Sequence, residues 1–317
     1  MTRLLALFAL CCSSALAQPY PAKPITLIIP FPPGGSTDII GRIAAEGMQR
    51  ELGQAFVVDN RGGAGGAIGA KAIADAAPDG YTLGIATIST HVVNPIVRSD
   101  LRYDPLRDFS FVSQIAAVPN SMSIHPSVPA RNMAEFIEYA RKNPGKLNYG
   151  TPGVGSLGHL IGETFKYSAK VNLTHVPYRG AGPALNDALG GQVQVLFDNL
   201  PSSLPHIQAG KLRGLAVASP ARVASLPNVP TFAETGQPLV NDPSWFGLIG
   251  PAKLAPQIVS RLHGALVATL KQPDALKRLE AAESVPVGNS PEAFRKVVAA
   301  ALDNTRKVVR EANLKFE

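Results

Sequence analysis

Cysteine, aromatic residues and charge are all scarce in this chain, and each shortage closes a class of explanation. The two cysteines, Cys11 and Cys12, fall in a leading segment read below as a signal peptide, so disulfides cannot hold the mature chain together. Aromatics make up only 6% of the residues, and the net charge of +7 comes from basic residues spread without any block of like charge. With no finger, basic-zipper or ribonucleoprotein signature, the charge alone makes no case for nucleic acid, and no such partner is expected. No apolar run reaches the roughly 20 residues of a membrane span, and no internal repeat is apparent. What is present is a 317-residue chain that is 45% apolar and 17% charged, enough for about two globular domains with their own cores. Its 29 glycines and 28 prolines lie between apolar runs, which predicts many short elements.

The leading segment MTRLLALFALCCSSALA sets one cation before an apolar run and ends in the small-x-small pattern Ala15-Leu16-Ala17. This predicts secretion to the periplasm with cleavage after Ala17. An acylated cysteine is less well supported, because Cys11 and Cys12 come early and a better cleavage site follows them.

The run Ile25 to Ile29, bounded by prolines, reads as a strand buried on both faces. Ile39, Ile40, Ile43, Ala44 and Met48 then recur at helical spacing, with Gly53 placed for a left-handed stop. The same grammar repeats through strand 56–58, helix 66–76 and strand 81–86, and again through helix 132–142, strand 147–149 and helix 157–169. Strands at 173–176, 193–197 and 212–218 follow, and the segment 244–249 returns the chain to the first unit. The expected architecture is α/β and two-lobed, each lobe a mostly parallel sheet flanked by helices, with a ligand cleft between them. The expected boundaries are a signal peptide at 1–17, a discontinuous first lobe at 18–112 and 226–317, and a second lobe at 113–225.

Ligand sites in open α/β sheets form where a strand's C-terminal end meets a helix N-terminus. The loop Pro30 to Asp38 is such a place. Gly34 and Gly35 allow close backbone approach beside Phe31, Ser36 and Thr37 add hydroxyls, and unpaired helix amides suit a carboxylate. The plainer reading is that Ser36 or Thr37 caps the helix, and that Asp38 is a capping charge and not a partner for a cationic group. A second such loop runs from Tyr149 to Ser156 and offers Thr151, Gly153, Val154, Gly155 and Ser156. Two helix N-termini facing each other across a cleft would act as a clamp. Thr87, Ser89 and Thr90 after one strand, Arg179 between strand and helix, and Asp198 at another strand end complete the candidates. Arg179 suits a bidentate carboxylate contact, though a loop arginine is more often a solvated charge.

Rival motifs are weaker. The run Gly63 to Gly69 imitates a dinucleotide fingerprint with the wrong spacing and no ribose-binding acid. Ser156 lacks the leading glycine of a nucleophile elbow, but an exported serine hydrolase using Ser156 and His159 is the alternative to a binding protein. The six histidines show no ligand spacing for zinc, and no cofactor or metal is expected.

Five ordered motifs resemble one family. They are PFPPGGSTD at 30–38, VVDNRGGAGGAIGA at 57–70, YGTPGVGSLGHL at 149–160, VPYRGAGPALNDALGGQV at 176–193 and FDNLPSSLPHI at 197–207. Together they are similar to the Bug, or TctC-type, extracytoplasmic solute receptors of tripartite tricarboxylate transporters. Arg61-Gly62-Gly63 departs from the Arg-Pro-Gly common in that family and alters loop stiffness more than chemistry. The resemblance implies a periplasmic binding protein that is not an enzyme. Such a protein grips a small organic acid, a dicarboxylate, an amino acid or an aromatic carboxylate, through the loops at 34–38 and 153–156, partly by ordered water, and delivers it to a membrane permease. His159 is counted with the ligand-binding candidates, and the protein is expected to be monomeric.

Overall fold

The computed structural model describes residues 20–316; the proposed signal peptide, its cleavage site and both cysteines lie outside them. The chain opens with strand β1 (Ile25–Ile29), helix α1 (Ser36–Leu52), β2 (Phe56–Asn60), α2 (Ala67–Ala74) and β3 (Thr82–Thr87). A π-helical turn at Ser89–Val93 leads through the short α3 (Asn94–Val97) to the long strand β4 (Phe109–Val118). The second lobe holds β5 (Asn120–Ile124), α4 (Met133–Lys142), β6 (Asn148–Thr151), α5 (Leu157–Ala169) and β7 (Thr174–Pro177). It continues with α6 (Ala181–Leu189), β8 (Val195–Asn199), α7 (Leu200–Gln208) and β9 (Arg213–Ala218). The chain then returns through β10 (Ser244–Pro251), α8 (Pro256–Thr269), α9 (Pro273–Ala281), β11 (Val285–Pro286) and α10 (Pro291–Glu311).

The strands form two sheets, ordered β11-β4-β10-β3-β1-β2 and β7-β6-β8-β5-β9. Both are mixed. β1 pairs in parallel with β2 and β3, whereas β10 lies antiparallel between β3 and β4. In the second sheet β5 is the strand that runs against its neighbours β8 and β9. The reversal follows from connectivity. A chain that leaves the first sheet at the cleft end of β4 enters the second at its cleft end, so β5 must run away from the cleft; β10 does the same on return.

The change of lobe falls at Pro119, between β4 and β5, and not after 112 as the apolar pattern suggested. A proline there cannot continue either ladder, and the chain turns. The return is also later than 226. Phe232 and Val240 pack into the second lobe's core, and β10 begins only at Ser244. Asn120 Nδ2 donates to Asp242 O at 2.9 Å and ties the entry of this lobe to its exit.

Strand periodicity sorts the core. Ile25, Leu27 and Ile29 point to the face covered by α1, α8 and α9, where they meet Ile40, Ile43, Met48, Leu262 and Leu279. Ile28 points the other way, onto the core built by Ile73 of α2 and Phe294 and Val298 of α10. This two-sided burial is why β1 reads as an unbroken apolar run. Caps set the helix ends. Gly53 stops α1 at φ 68°, and the Asn132 side chain accepts from Glu135 N at 2.9 Å while Glu135 accepts from Arg131 N at 2.7 Å.

Candidate functional site

The loop after β1 is built to hold still. Gly34 takes φ +88°, which leaves its N–H directed at Asp38 Oδ2, 3.2 Å away. Asp38 also accepts from Arg42 Nε and Asn60 Nδ2, each at 3.0 Å, and Asn60 Nδ2 donates to Phe31 O at 2.9 Å. Burial tends to raise the Asp38 pKa, but the bonds from Arg42, Asn60 and Gly34 outweigh it and hold the carboxyl below its usual range. Asp38 therefore braces the loop from behind and does not face the cleft. Ahead of it, Ser36 N and Thr37 N find no acceptor among the described residues. The Ser36 hydroxyl reaches across to the second lobe, 3.1 Å from Asn199 O and 2.9 Å from Ser202 Oγ.

The facing loop follows β6. Thr151 Oγ1 accepts from Gly153 N at 3.2 Å and bonds His175 Nε2 at 2.7 Å, so its hydroxyl is used inside its own lobe. Gly153 at φ +126° and Gly155 at φ +77° bend the chain into α5. The half-buried Val154 turns its carbonyl toward Gly65, where an added Cβ would lie 2.5 Å from Val154 O. Ser156 is fully buried as the N-cap of α5 and accepts from His159 N at 3.3 Å. The first amide of α5, Leu157 N, donates to Ser89 Oγ at 2.9 Å and so joins the lobes a second time.

Between the two helix starts lies a cavity of about 20 Å³. Of the residues picked from sequence, Phe31, Gly35, Ser36, Thr37, Thr87, Ser89 and Asp198 line it. Gly34, Thr90, Thr151, Gly153, Val154, Gly155, Ser156, His159 and Arg179 do not, and neither does Asp38. Thr90 bonds Thr87 and His91 within the first lobe, and Arg179 is exposed without an ion pair among the described residues. Asn120, Asn199, Ser244, Phe246 and Gly158 also line the cavity and were not among the sequence candidates for the site. Ser202 was missed as well; it bonds both Ser36 and the Asp198 carboxylate. Burial pushes the Asp198 carboxyl up to about 7, only partly offset by the bonds from Ser202 and the Asn199 amide.

A hydrolytic centre at Ser156 and His159 would need the imidazole on the serine hydroxyl. The only bond between the two residues is the cap from His159 N, and the ring instead stacks on His175, with centroids 3.8 Å apart. Burial lowers the His159 pKa to about 4 and that of His175 to about 3. Among the described residues no group of three or more His, Cys, Asp or Glu is placed to hold a metal.

Residues 40–314 match the model of the tripartite tricarboxylate transporter family receptor. Over its whole length the chain is 36% identical to Protein BugT of Bordetella pertussis and covers 99% of that protein. A solved structure described as a periplasmic transporter is 49% identical and superposes with a TM-score of 0.93, over 94% of this chain and all of that one. Rpa4515 of R. palustris, solved with adipate, is 38% identical with a TM-score of 0.90, over 93% of this chain and 99% of that one.

Proposed function

The chain belongs to the tripartite tricarboxylate transporter receptor family, a family of periplasmic binding proteins and not of enzymes, and from that premise we propose how it takes its solute. It holds one carboxylate group between its lobes, at the N-terminus of α1, and presents the closed complex to a membrane permease. The observation that carries this reading is the meeting of α1 and α5 at one cavity. Ser36 N and Thr37 N are unspent there, and the hydroxyls of Thr37 and Ser244 line the same space. The positive ends of two helix dipoles add to those donors, each by about 0.3–2 kcal/mol. Among the described residues no lysine, arginine or histidine lines the cavity, so the anion is met by backbone amides, hydroxyls and the neighbouring Asn120 and Asn199, without a cationic side chain. The structure of Rpa4515 with adipate supports a carboxylate as the solute here.

Closure supplies the signal. Ser36 to Asn199 and Ser202, and Ser89 to Leu157, are bonds made only when the lobes meet. The exported protein is a monomer cleaved after Ala17. Mass spectrometry of periplasmic protein is expected to show Gln18 as the first residue. The functional test is a thermal-shift panel of carboxylates. At 100 times its dissociation constant a bound acid adds about 2.7 kcal/mol, and Thr37→Glu, which sets a negative charge at the α1 N-terminus, is expected to abolish the shift. A panel without any shift in the wild-type protein would defeat the proposal.

A further inference from the structure

Phe294, Val298 and Leu302 root α10 in the core of the first lobe, so the residues that follow it are carried by that lobe. Asn313 takes φ +47°, and Leu314 N donates to Val309 O at 3.0 Å, which stops the helix and turns the chain aside. The half-buried Phe316 then meets the second lobe. Its ring lies edge-to-face with that of His159 on α5, with centroids 5.0 Å apart and planes at 85°. The match to the family stops at residue 314, short of this contact.

His159 offers a fixed platform. It is 1% exposed, Gly155 N donates to its Nδ1 at 3.4 Å, and Glu163 Oε1 lies 3.9 Å from its Nε2. Its ring stacks on His175, which in turn bonds Thr151 of β6. Each of these partners lies in the second lobe, so the imidazole moves with that lobe, whereas Phe316 moves with the first. The pair is therefore broken when the lobes part. Phe316 does not line the cavity between the helix starts, so it acts on closure without reaching the solute.

We propose that Phe316 is an interlobe latch, a positioning residue that holds the closed arrangement through His159 and thereby tightens the grip on an acid it does not touch. This rests on the reading of two lobes closing around a carboxylate and adds a closing device outside the site. Apparent affinity scales with the fraction of protein in the binding-competent form, so a contact made only on closure raises it.

The chain carries its own reporter. Trp245, its single tryptophan, is buried beside a space of about 430 Å³ that Leu157, Leu160 and Ile161 of α5 wall from the other lobe. Parting the lobes uncovers it, so acrylamide quenching of its fluorescence reads closure, and Phe316 does not line that space. Quenching is measured in the exported wild-type protein, Phe316→Ala and Phe316→Tyr, without ligand and through a titration with adipate as the probe. Phe316→Ala is expected to shift the balance toward the open form by about two- to tenfold, the range of an edge-to-face aromatic pair, and to weaken adipate binding by the same factor. Phe316→Tyr, which keeps the ring, is expected to stay within about twofold of the wild type. Ending the chain at Lys315 removes the same ring and serves as a second variant where alanine lowers the melting temperature without ligand. Equal quenching of the wild type and both ring-less variants, with and without adipate, overturns the latch, as does a tyrosine variant that behaves like alanine. A ligand-free difference that tyrosine reverses upholds the latch even where no acid in the thermal panel gives a shift, a result that defeats the carboxylate reading alone.

Discussion

Asp198 sits in the wall of a cavity proposed for an anion, and its environment makes that arrangement workable. With only Ser202 and the Asn199 amide to solvate it, the buried carboxyl is pushed up to about 7 and stays largely neutral below that pH. In the unfolded chain the same group ionises near its ordinary value of 3.8. Between these values the unfolded state has released a proton that the folded state retains. The stability Asp198 contributes is therefore complete below about pH 4 and lost as pH rises through 7. Asp198→Asn should accordingly raise the melting temperature more at pH 8 than at pH 5. Carboxylate binding by the wild type is expected to weaken by about tenfold between pH 6 and 8 as Asp198 ionises, and Asp198→Asn should flatten that dependence. A variant that loses affinity equally at both pH values would contradict this. The histidines behave oppositely. Burial lowers the pKa of His91 to about 3, with Phe109 and Tyr103 packed around it, and leaves Nε2 without a partner among the described residues. Proton NMR is expected to show no titration of His91, His159 or His175 above about pH 5. Stability from these rings is present above the ordinary value of 6.5 and declines as pH falls toward 4 and 3.

Helix starts and packing stripes carry most of the design at the level of elements. Ser156→Ala removes the α5 cap and should cost about 1 kcal/mol in denaturant unfolding. Gly47 lets α1 approach α8, because a Cβ there would stand 2.1 Å from Thr269 Cγ2. Gly47→Ala should therefore destabilise the protein by about 1–3 kcal/mol, as overpacking does. Much of this was legible in the sequence. β1 announces itself because both its faces are buried, and the glycines after β1 and β6 mark strand ends that feed helices. β5 was not legible: its sequence NSMSI is half polar, yet all five residues are buried, since Ser121 bonds Ser203 from within the sheet region. The same limit hid Asn120, Asn199, Ser202 and Ser244. Small polar residues in strands and helices look alike whether they face water or a cavity, and only the return of β10 and the crossing at Pro119 bring these four together. Thr151 and Ser156 show the converse: both stand in a loop at a strand end, but their hydroxyls are taken by His175 and by the helix cap.

For the whole molecule the decisive property is how closely the lobes fit when they meet. Gly65 stands against Val154 and Gly155 of the other lobe, and a Cβ added at Gly35 would lie 3.0 Å from Ala181 Cβ. Gly65→Ala sets a methyl 2.5 Å from Val154 O, so the variant should bind its acid more weakly and show a larger radius of gyration by X-ray scattering in the presence of ligand. An unchanged radius would mean that the contact yields without cost. The second lobe is one unbroken stretch of chain, whereas the first is assembled from two, and the bond from Asn120 to Asp242 places the two crossing points side by side. Neighbouring ends make that stretch a self-contained cassette. Cut out as residues 120–242 it is expected to fold alone, which a cooperative thermal melt of the fragment would check, while the host left behind could be resealed with a linker of a few residues.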